Sequence, residues 1–225
     1  MSEHTIDIWR TEISSESGIV QNYYNLLSKD ERDRSKKFRF QKDEYEYIIS
    51  RGFLRTVLSS YLNFSPENLK FSYGSFGKPF LSDVSTKLKF NLSHSSGLTL
   101  IAVNMNNEIG IDLEFVKDID DRTELAKNLF TDNEIELLNK AHDSNKVFFK
   151  IWTRKEAIIK AVGKGLSLPL NLIDVSNPGS IFYNNSNILT KTEFDNCKLY
   201  KINSPDGFEA SLASFGEKKN IVYKN

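Results

Sequence analysis

The sequence has few of the residues that stabilise disulfide-rich domains or bind zinc. It contains one cysteine, Cys197, and three histidines in 225 residues. A single cysteine cannot form an intramolecular disulfide, and the paired CxxC ligands of zinc ribbons and fingers are absent. The composition therefore excludes a disulfide scaffold and a cysteine-ligated zinc module, and it indicates a protein of a reducing compartment.

The chain also lacks an excess of charge of either sign. Its 30 Lys and Arg residues balance 30 Asp and Glu residues, which argues against a broadly basic nucleic-acid-binding protein. No apolar run approaches the ~20 residues that a membrane-spanning helix needs, and the charged first residues are unlike a signal peptide. We therefore expect a cytoplasmic globular protein with no nucleic-acid or membrane partner.

Hydrophobic periodicity predicts a mixed α+β chain. The predicted strands share an alternation of apolar residues or a short apolar run; they are Thr5–Arg10, Lys70–Tyr73, Leu88–Asn91, Leu98–Val103, Ile109–Phe115, Leu172–Val175, Cys197–Asn203 and Phe208–Ser214. Capping boxes at Ser28–Glu31 and Thr131–Glu134 predict two helix starts. Apolar residues at helical spacing predict long helices from Lys42 to Leu62 and from about Asn145 to Val162.

The two halves of the chain resemble each other weakly. The segment Ile6-Asp7-Ile8 corresponds to Ile111-Asp112-Leu113, and in both halves a capping box and then a long helix follow. Because the matches occur in one order, about half a chain apart, they predict a duplicated α+β unit. The predicted boundary separates residues 1–106 from residues 107–225.

Two acids share one face of the predicted strand Ile109–Phe115. Asp112 and Glu114 alternate with apolar residues, so their carboxylates stand roughly 6–7 Å apart along the strand. Carboxylates this close repel each other unless a cation lies between them, and hard cations such as Mg²⁺ take oxygen ligands. The alternative is the solvent face of an amphipathic strand, and this fragment by itself favours that alternative.

The second predicted long helix carries an acid and a base one turn apart. Glu156 and Lys160 are i,i+4 neighbours on one face. They are either a surface ion pair or an acid that serves a metal or a nucleophile, beside a cation that serves a phosphate. Gly163 and Gly165 follow the helix and are typical of a C-cap.

Three further segments could contact an anion. His94 lies at a strand end among small hydroxyl residues, beside a predicted turn at Ser95–Gly97 where backbone N–H groups can hold an anion. Lys78 precedes Pro79 and is therefore held extended. A histidine or a loop lysine without a function is the alternative at each position. A basic stretch is either a solvated helix face or a polyanion-binding patch; its residues are Arg32, Arg34, Lys36, Lys37, Arg39 and Lys42.

The fragments GKPFL, FNLSHSSG, GIDLE and WTRKEAIIKAVGKGL, in this order from Gly77 to Leu166, resemble the signature motifs of 4′-phosphopantetheinyl transferases. The resemblance is closer to the large, pseudo-dimeric Sfp-type branch, which activates peptide and polyketide synthases. It implies two similar α+β subdomains related by a pseudo-two-fold axis, with the active site at their interface. It also implies transfer of the 4′-phosphopantetheine arm from coenzyme A to a serine of an acyl or peptidyl carrier protein, with release of 3′,5′-ADP.

The resemblance implies roles for individual residues. The implied ligands of Mg²⁺, or of Mn²⁺ in its place, are Asp112, Glu114 and Glu156. The implied contacts to coenzyme A are Arg34, Arg51, Lys78, Pro79, Ser93, His94 and Lys160. The implied catalytic residues are Asp112, Glu156 and Lys160. Among them, Glu156 accepts the serine proton, directly or through a water, and Lys160 stabilises the leaving phosphate.

Other features of the chain refine this expectation. Some relatives carry basic residues near the start of the basic helix where this chain has Glu31, so Arg34, Lys36 or Lys37 is expected to help bind the 3′-phosphate. Glu134 matches another acid near the site. The segment Val116–Phe130 is expected to help dock the carrier protein, and two fused halves are expected to function as a monomer.

Two other functions use the same residues. A Mg²⁺-dependent hydrolase of a nucleotide or pyrophosphate would release phosphate without a carrier protein. A non-catalytic protein that binds carrier domains would retain its activity after Glu156→Gln. The sequence does not distinguish fatty-acid, polyketide and peptide synthases as the system served.

Overall fold

The computed structural model describes residues 2–82, 84–165, 168–177, 182–183 and 196–224. Its helices are α1 (Ser17–Leu26), α2 (Lys29–Ser35), α3 (Gln41–Ser59), α4 (Arg122–Leu129), α5 (Asp132–Lys140) and α6 (Ser144–Val162). Its strands are β1 (Thr5–Glu12), β2 (Lys70–Tyr73), β3 (Pro79–Ser82), β4 (Leu88–Ser95), β5 (Leu98–Met105), β6 (Ile109–Phe115), β7 (Ile173–Asp174), β8 (Phe182–Tyr183), β9 (Cys197–Lys201), β10 (Phe208–Phe215) and β11 (Asn220–Lys224). The α+β class predicted from the sequence is confirmed. No helix in these ranges is long and apolar enough to cross a membrane.

The same order of elements occurs twice along the chain. A strand, three helices, a short 3-10 turn, a two-stranded pair and two further strands run from β1 to β5, and the series repeats from β6 to β10. Each series builds an antiparallel three-stranded sheet with the same strand order, β1-β5-β4 and then β6-β10-β9. This recurrence agrees with the duplicated unit expected from the sequence. β11 departs from it, because it adds to the first sheet in parallel with β1.

The predicted boundary between residues 106 and 107 falls in the short connection between β5 and β6. It remains a prediction, and we call residues 1–106 the first half and residues 107–225 the second half. The elements that the sequence did not predict are short: α1, α4, β3, β8 and β11. β4 reaches Ser95, which was expected in the turn, because Ser96 and Gly97 alone supply the positive φ angles (46° and 83°) of a tight hairpin.

The inner faces of the two sheets share one hydrophobic cluster. Its buried members include Ile6, Ile8, Leu98, Leu100 and Ala102 from the first sheet and Ile109, Ile111, Leu113, Ala210 and Leu212 from the second. α3 packs on the outer face of the first sheet and α6 on the outer face of the second. The two halves are therefore joined through buried apolar surface.

The edges β4 and β6 meet through side chains instead of a backbone ladder. Three alternate residues of β4 accept hydrogen bonds from three alternate backbone N–H groups of β6; the pairs are Asn91 with Ile111 (2.9 Å), Ser93 with Leu113 (3.2 Å) and Ser95 with Phe115 (3.1 Å). We call Asn91, Ser93 and Ser95 the bridging residues. They place the end of the first sheet beside the acids of β6.

α6 lies directly on β6 because the GIDLE motif begins with a glycine, Gly110, which has no side chain to keep the helix away. A Cβ atom on Gly110 would lie 2.1 Å from the Ala157 carbonyl oxygen and 2.3 Å from the Ala161 nitrogen. Any larger residue would therefore push α6 away from the sheet. This close approach brings Glu156 and Lys160 to the side of β6 that carries Asp112.

A buried ion pair anchors α3 in the first half. Glu31, the third residue of α2 and the acid of its capping box, binds Arg55 at 2.7 Å, and both side chains are 1% exposed. Arg55 also donates to the carbonyl oxygen of Pro66 in the 3-10 turn before β2 and to that of Leu69, which follows this turn. The pair therefore ties α2, α3 and that turn together.

The second half repeats this arrangement. Glu134, the third residue of α5 and the acid of its capping box, binds Lys155 of α6 at 2.7 Å, and both side chains are fully buried. Lys155 also donates to the carbonyl oxygen of Leu170 in the 3-10 turn before β7 and to that of Ile173, the first residue of β7. Burial lowers the pKa of Lys155, and the Glu134 carboxylate opposes that shift.

We expect Glu134→Gln to lower the free energy of unfolding by about 3–5 kcal/mol, because it leaves the Lys155 ammonium buried without a counter-charge. Glu136→Gln is the matched control, since Glu136 lies on the same helix and forms an exposed i,i+4 pair with Lys140. The control should show no measurable change. Urea unfolding followed by circular dichroism measures both, and equal stability of the two variants would contradict the anchoring role of Glu134.

Candidate active site

A cavity of about 490 Å³ lies between the two halves, and both halves line it. Nine of the residues singled out in the sequence contribute to its wall: Arg34, Arg51, Pro79, Ser93, His94, Asp112, Glu114, Glu156 and Lys160. The first half supplies arginines from α2 and α3 and a histidine from the end of β4. The second half supplies its acids from β6 and α6.

Asp112 is the centre of the polar contacts in this cavity. Its Oδ1 atom accepts hydrogen bonds from Lys160 Nζ (2.7 Å) and from Ser93 Oγ (3.1 Å). Lys160 Nζ also donates to Ser93 Oγ at 3.0 Å. The Asp112 side chain is 5% exposed, and its Oδ2 atom is buried without a hydrogen-bond partner among the described residues.

The two other carboxylates of the cavity are held in a partly buried, negatively charged environment. Glu114 Oε2 accepts a hydrogen bond from Ser95 Oγ at 3.1 Å. Burial raises the pKa of Glu114 and of Glu156, and the Asp112 carboxylate raises both further. Lys160 counteracts this repulsion only in part.

These acids fit a divalent cation. A buried carboxylate oxygen without a partner is costly unless a ligand or a cation binds it, and Asp112 Oδ2 is such an atom. Mutual repulsion among Asp112, Glu114 and Glu156 would also fall if a cation bound between them. In the described part of the chain, however, no three His, Cys, Asp or Glu side chains lie close enough together to hold a metal ion. The three acids line one cavity and would have to approach each other to bind a shared cation.

The opposite wall of the cavity is positively charged. Arg51 donates from Nε and Nη2 to Glu31 Oε1 (2.9 and 2.7 Å) and from Nη2 to the Tyr73 hydroxyl (3.0 Å). Arg34 lies over the ring of Tyr47, 5.6 Å from its centroid. The side of the cavity that carries these arginines can bind an anion, and the side that carries the three acids can bind a cation.

Two family models match the two halves of the chain separately. A family model described as the 4′-phosphopantetheinyl transferase superfamily matches residues 108–213, and one described as 4′-phosphopantetheinyl transferase, N-terminal, matches residues 14–106. The chain is 40% identical over 166 residues to the 4′-phosphopantetheinyl transferase HetI of Nostoc sp., which covers 72% of this chain and 70% of the relative. The chain belongs to the 4′-phosphopantetheinyl transferase family.

Other transferases of this family are similar over the same share of the chain. The gsp protein of Aneurinibacillus migulanus is 34% identical over 173 residues, covering 73% of this chain and 70% of the relative. The Sfp protein of Bacillus subtilis is 32% identical over 157 residues, covering 69% of this chain and 68% of the relative. The resemblance to the Sfp-type branch, stated from the motifs, is therefore confirmed.

The transferase does not bring every expected residue into the cavity. Lys78 Nζ is bonded to Glu108 Oε2 (2.8 Å) and to the carbonyl oxygens of Ile109 (3.1 Å) and Ala161 (3.2 Å). Its ammonium therefore ties the β2–β3 hairpin to the second half, while Pro79 lines the cavity. Glu134, expected near the site, instead forms the buried pair with Lys155 behind α6.

The residues of the basic helix lie in different environments in the structure. Glu31 is buried and binds Arg51 and Arg55, so its carboxylate positions two arginines. Of the three candidates on that stretch, Arg34 lines the cavity, and Lys36 and Lys37 are exposed outside its wall. The last residue of the motif region, Leu166, lies outside the described residues.

Sequence reasoning missed four polar or aromatic side chains of the cavity wall: Tyr47, Ser50, Tyr73 and Trp152. A helical signal was available for two of them. Trp152 lies one turn before Glu156 on α6, and Tyr47 lies one turn before Arg51 on α3, so each shares a face with a predicted residue. Tyr73 had no such signal, because its contact with Arg51 depends on how β2 packs against α3.

We expect Glu156→Gln to stabilise the metal-free transferase at pH 8. Because the folded-state pKa of Glu156 is raised, its ionised form destabilises the fold above that pKa, and this effect disappears as the pH falls through it. Thermal unfolding in EDTA should show a melting temperature ~2–4 °C higher for the variant at pH 8 and a smaller difference at pH 5. Glu12→Gln, at an exposed position on β1, should show neither effect, and an equal shift in both variants would contradict the interpretation.

Proposed function

We propose that this transferase is Mg²⁺-dependent, with Mn²⁺ as a substitute, and that it moves the 4′-phosphopantetheine arm of coenzyme A onto a serine of an acyl or peptidyl carrier protein. The observation that carries the proposal is the buried, unpartnered Oδ2 atom of Asp112 in a cavity shared with Glu114, Glu156 and Lys160. Family membership supports the reaction class. The donor set of carboxylate oxygens supports Mg²⁺ over a softer metal.

The division of charge in the cavity suits coenzyme A, which carries a 3′-phosphate and a pyrophosphate at different points of one molecule. We assign the 3′-phosphate to the wall that contains Arg34, Arg51 and His94. We assign the pyrophosphate to the wall that contains Lys160 and the three acids. Pro79 and Ser93 line the space between these walls and are proposed to contact the adenosine portion and the phosphates.

The chemical step needs positioning and charge neutralisation more than covalent participation of the protein. The serine Oγ of the carrier attacks the phosphorus that bears the pantetheine arm, and the bond from that phosphorus to the 3′,5′-ADP oxygen breaks. Glu156 is proposed to accept the serine proton, directly or through a water. A divalent cation bound by Asp112, Glu114 and Glu156 would polarise the pyrophosphate and offset the charge on the leaving group.

Lys160 is proposed to act on the leaving group. It lies one helical turn after Glu156 on α6, and its ammonium is held by Asp112 Oδ1 and Ser93 Oγ. A cation held in this way is pre-oriented, so it can stabilise the developing phosphate charge without reorganising. The side chain is 28% exposed, which leaves part of it accessible to substrate.

The partner and setting are also proposals. Leu125 is 41% exposed, and it supports the segment Val116–Phe130 as a docking surface for the carrier protein. The presence of both element series in one chain supports a monomer. The composition supports a cytoplasmic protein.

Incubation with coenzyme A, Mg²⁺ and an apo carrier protein should increase the carrier mass by about 340 Da, the phosphopantetheine arm, as read by intact mass spectrometry. Asp112→Ala should abolish this gain while circular dichroism shows a folded protein. Asp132→Ala, at an exposed position on α5, is the control and should retain full activity. Phosphate release without a carrier, or an active Asp112→Ala variant, would contradict the proposal.

Arg34→Ala should raise KM for coenzyme A about 10-fold, because it removes one charge-assisted contact to phosphate. Lys36→Ala on the same stretch should leave KM unchanged, since Lys36 does not line the cavity. With 3′-dephospho-coenzyme A as substrate, Arg34→Ala and wild type should have equal KM values. A loss that is the same for both substrates would show that Arg34 does not contact the 3′-phosphate.

A further inference from the structure

The bridging residues of β4 differ in what their side chains do after accepting the β6 N–H group. Asn91 Oδ1 accepts from Ile111 at 2.9 Å and is not bonded to an acid of the cavity. Ser93 and Ser95 accept in the same way, and each hydroxyl also donates its own proton to a carboxylate of β6. The two serines therefore have a second role that the asparagine lacks.

The geometry of the two serines is the same. Ser93 Oγ donates to Asp112 at 3.1 Å, and Ser95 Oγ donates to Glu114 at 3.1 Å. The spacing of two residues on β4 matches the spacing of two residues on β6, so each serine lies opposite one acid. The first half of the chain thus orients acids that belong to the second half.

Glu114 needs such orientation more than Asp112 does. Its side chain has one more rotatable bond, and fixing a long side chain in a single rotamer costs conformational entropy. Asp112 is already fixed by Lys160 and Ser93. Glu114 is held by Ser95 from the first half.

We propose that Ser95 is a positioning residue that orients the Glu114 carboxylate toward the divalent cation and thereby sets the affinity of the transferase for that cation. The inference rests on the metal-dependent function proposed above. Ser93 would be a poor probe, because its hydroxyl also accepts from Lys160. The Ser95 hydroxyl bonds Phe115 N–H and Glu114, so its loss affects one bridge and one acid.

The test compares three variants. Ser95→Ala removes the bridge and the donor to Glu114, whereas Ser95→Thr keeps a hydroxyl. Asn91→Ala removes a bridge of the same kind at a side chain that is not hydrogen-bonded to a cavity acid, so it reports the cost of losing a bridge. Mn²⁺ binding is measured by electron paramagnetic resonance, with saturating coenzyme A and no carrier protein, and thermal unfolding of each variant is measured in parallel.

Ser95→Ala should weaken Mn²⁺ binding about 10-fold, the usual effect of removing a group that orients a metal ligand. Ser95→Thr should restore most of the affinity. Asn91→Ala should lower the melting temperature and leave Mn²⁺ affinity at the wild-type value. Because the readout is metal binding, a folded but inactive variant remains informative.

Three results would overturn the inference: wild-type Mn²⁺ affinity in Ser95→Ala, equal losses in Ser95→Ala and Asn91→Ala, or no Mn²⁺ binding by the wild type. If the wild type modifies its carrier protein and Ser95→Ala binds Mn²⁺ normally, the role of Ser95 fails and the proposed function stands. If the wild type binds Mn²⁺ in a Ser95-dependent way but modifies no carrier protein, the proposed function fails and the role of Ser95 stands.

Discussion

The cavity depends on the way in which β4 and β6 meet. A hydroxyl group can donate and accept at once, so Ser93 and Ser95 satisfy backbone N–H groups of β6 and hold its carboxylates with the same atom. A regular backbone ladder between these strands would leave the acids without those donors. The junction that joins the two halves is therefore also a wall of the site.

The two long helices beside this junction, α3 and α6, are held in place by buried ion pairs. The Glu31–Arg55 and Glu134–Lys155 pairs tie α3 and α6 to the turns that follow them, and Gly110 lets α6 approach β6 closely. Buried charges are tolerated only when each is paired and hydrogen-bonded, as both pairs are. The side chains that face the cavity are consequently carried on helices with little freedom to shift.

The net charge of the chain is zero, but positive and negative side chains are separated within the cavity. The first half contributes arginines and a histidine to the cavity, and the second half contributes three acids and one lysine. In the first half, Arg55 performs the anchoring role that Lys155 performs in the second, and Arg51, which also binds Glu31, lines the cavity. Equivalent elements of the two halves therefore contribute different charges to the cavity.

The sequence by itself determined eight of the eleven described strands, the capping boxes, the two long helices and the pairing of residues that are close along one element. Asp112 with Glu114 and Glu156 with Lys160 belong to this group, because strand and helix periodicity alone place them on common faces. Only the tertiary structure decided that Lys78 binds Glu108, that Glu134 is buried with Lys155, that Tyr73 lines the cavity and that Ser95 bonds Glu114. These contacts join elements far apart in the chain, and their formation depends on how sheets and helices pack, which local spacing does not encode.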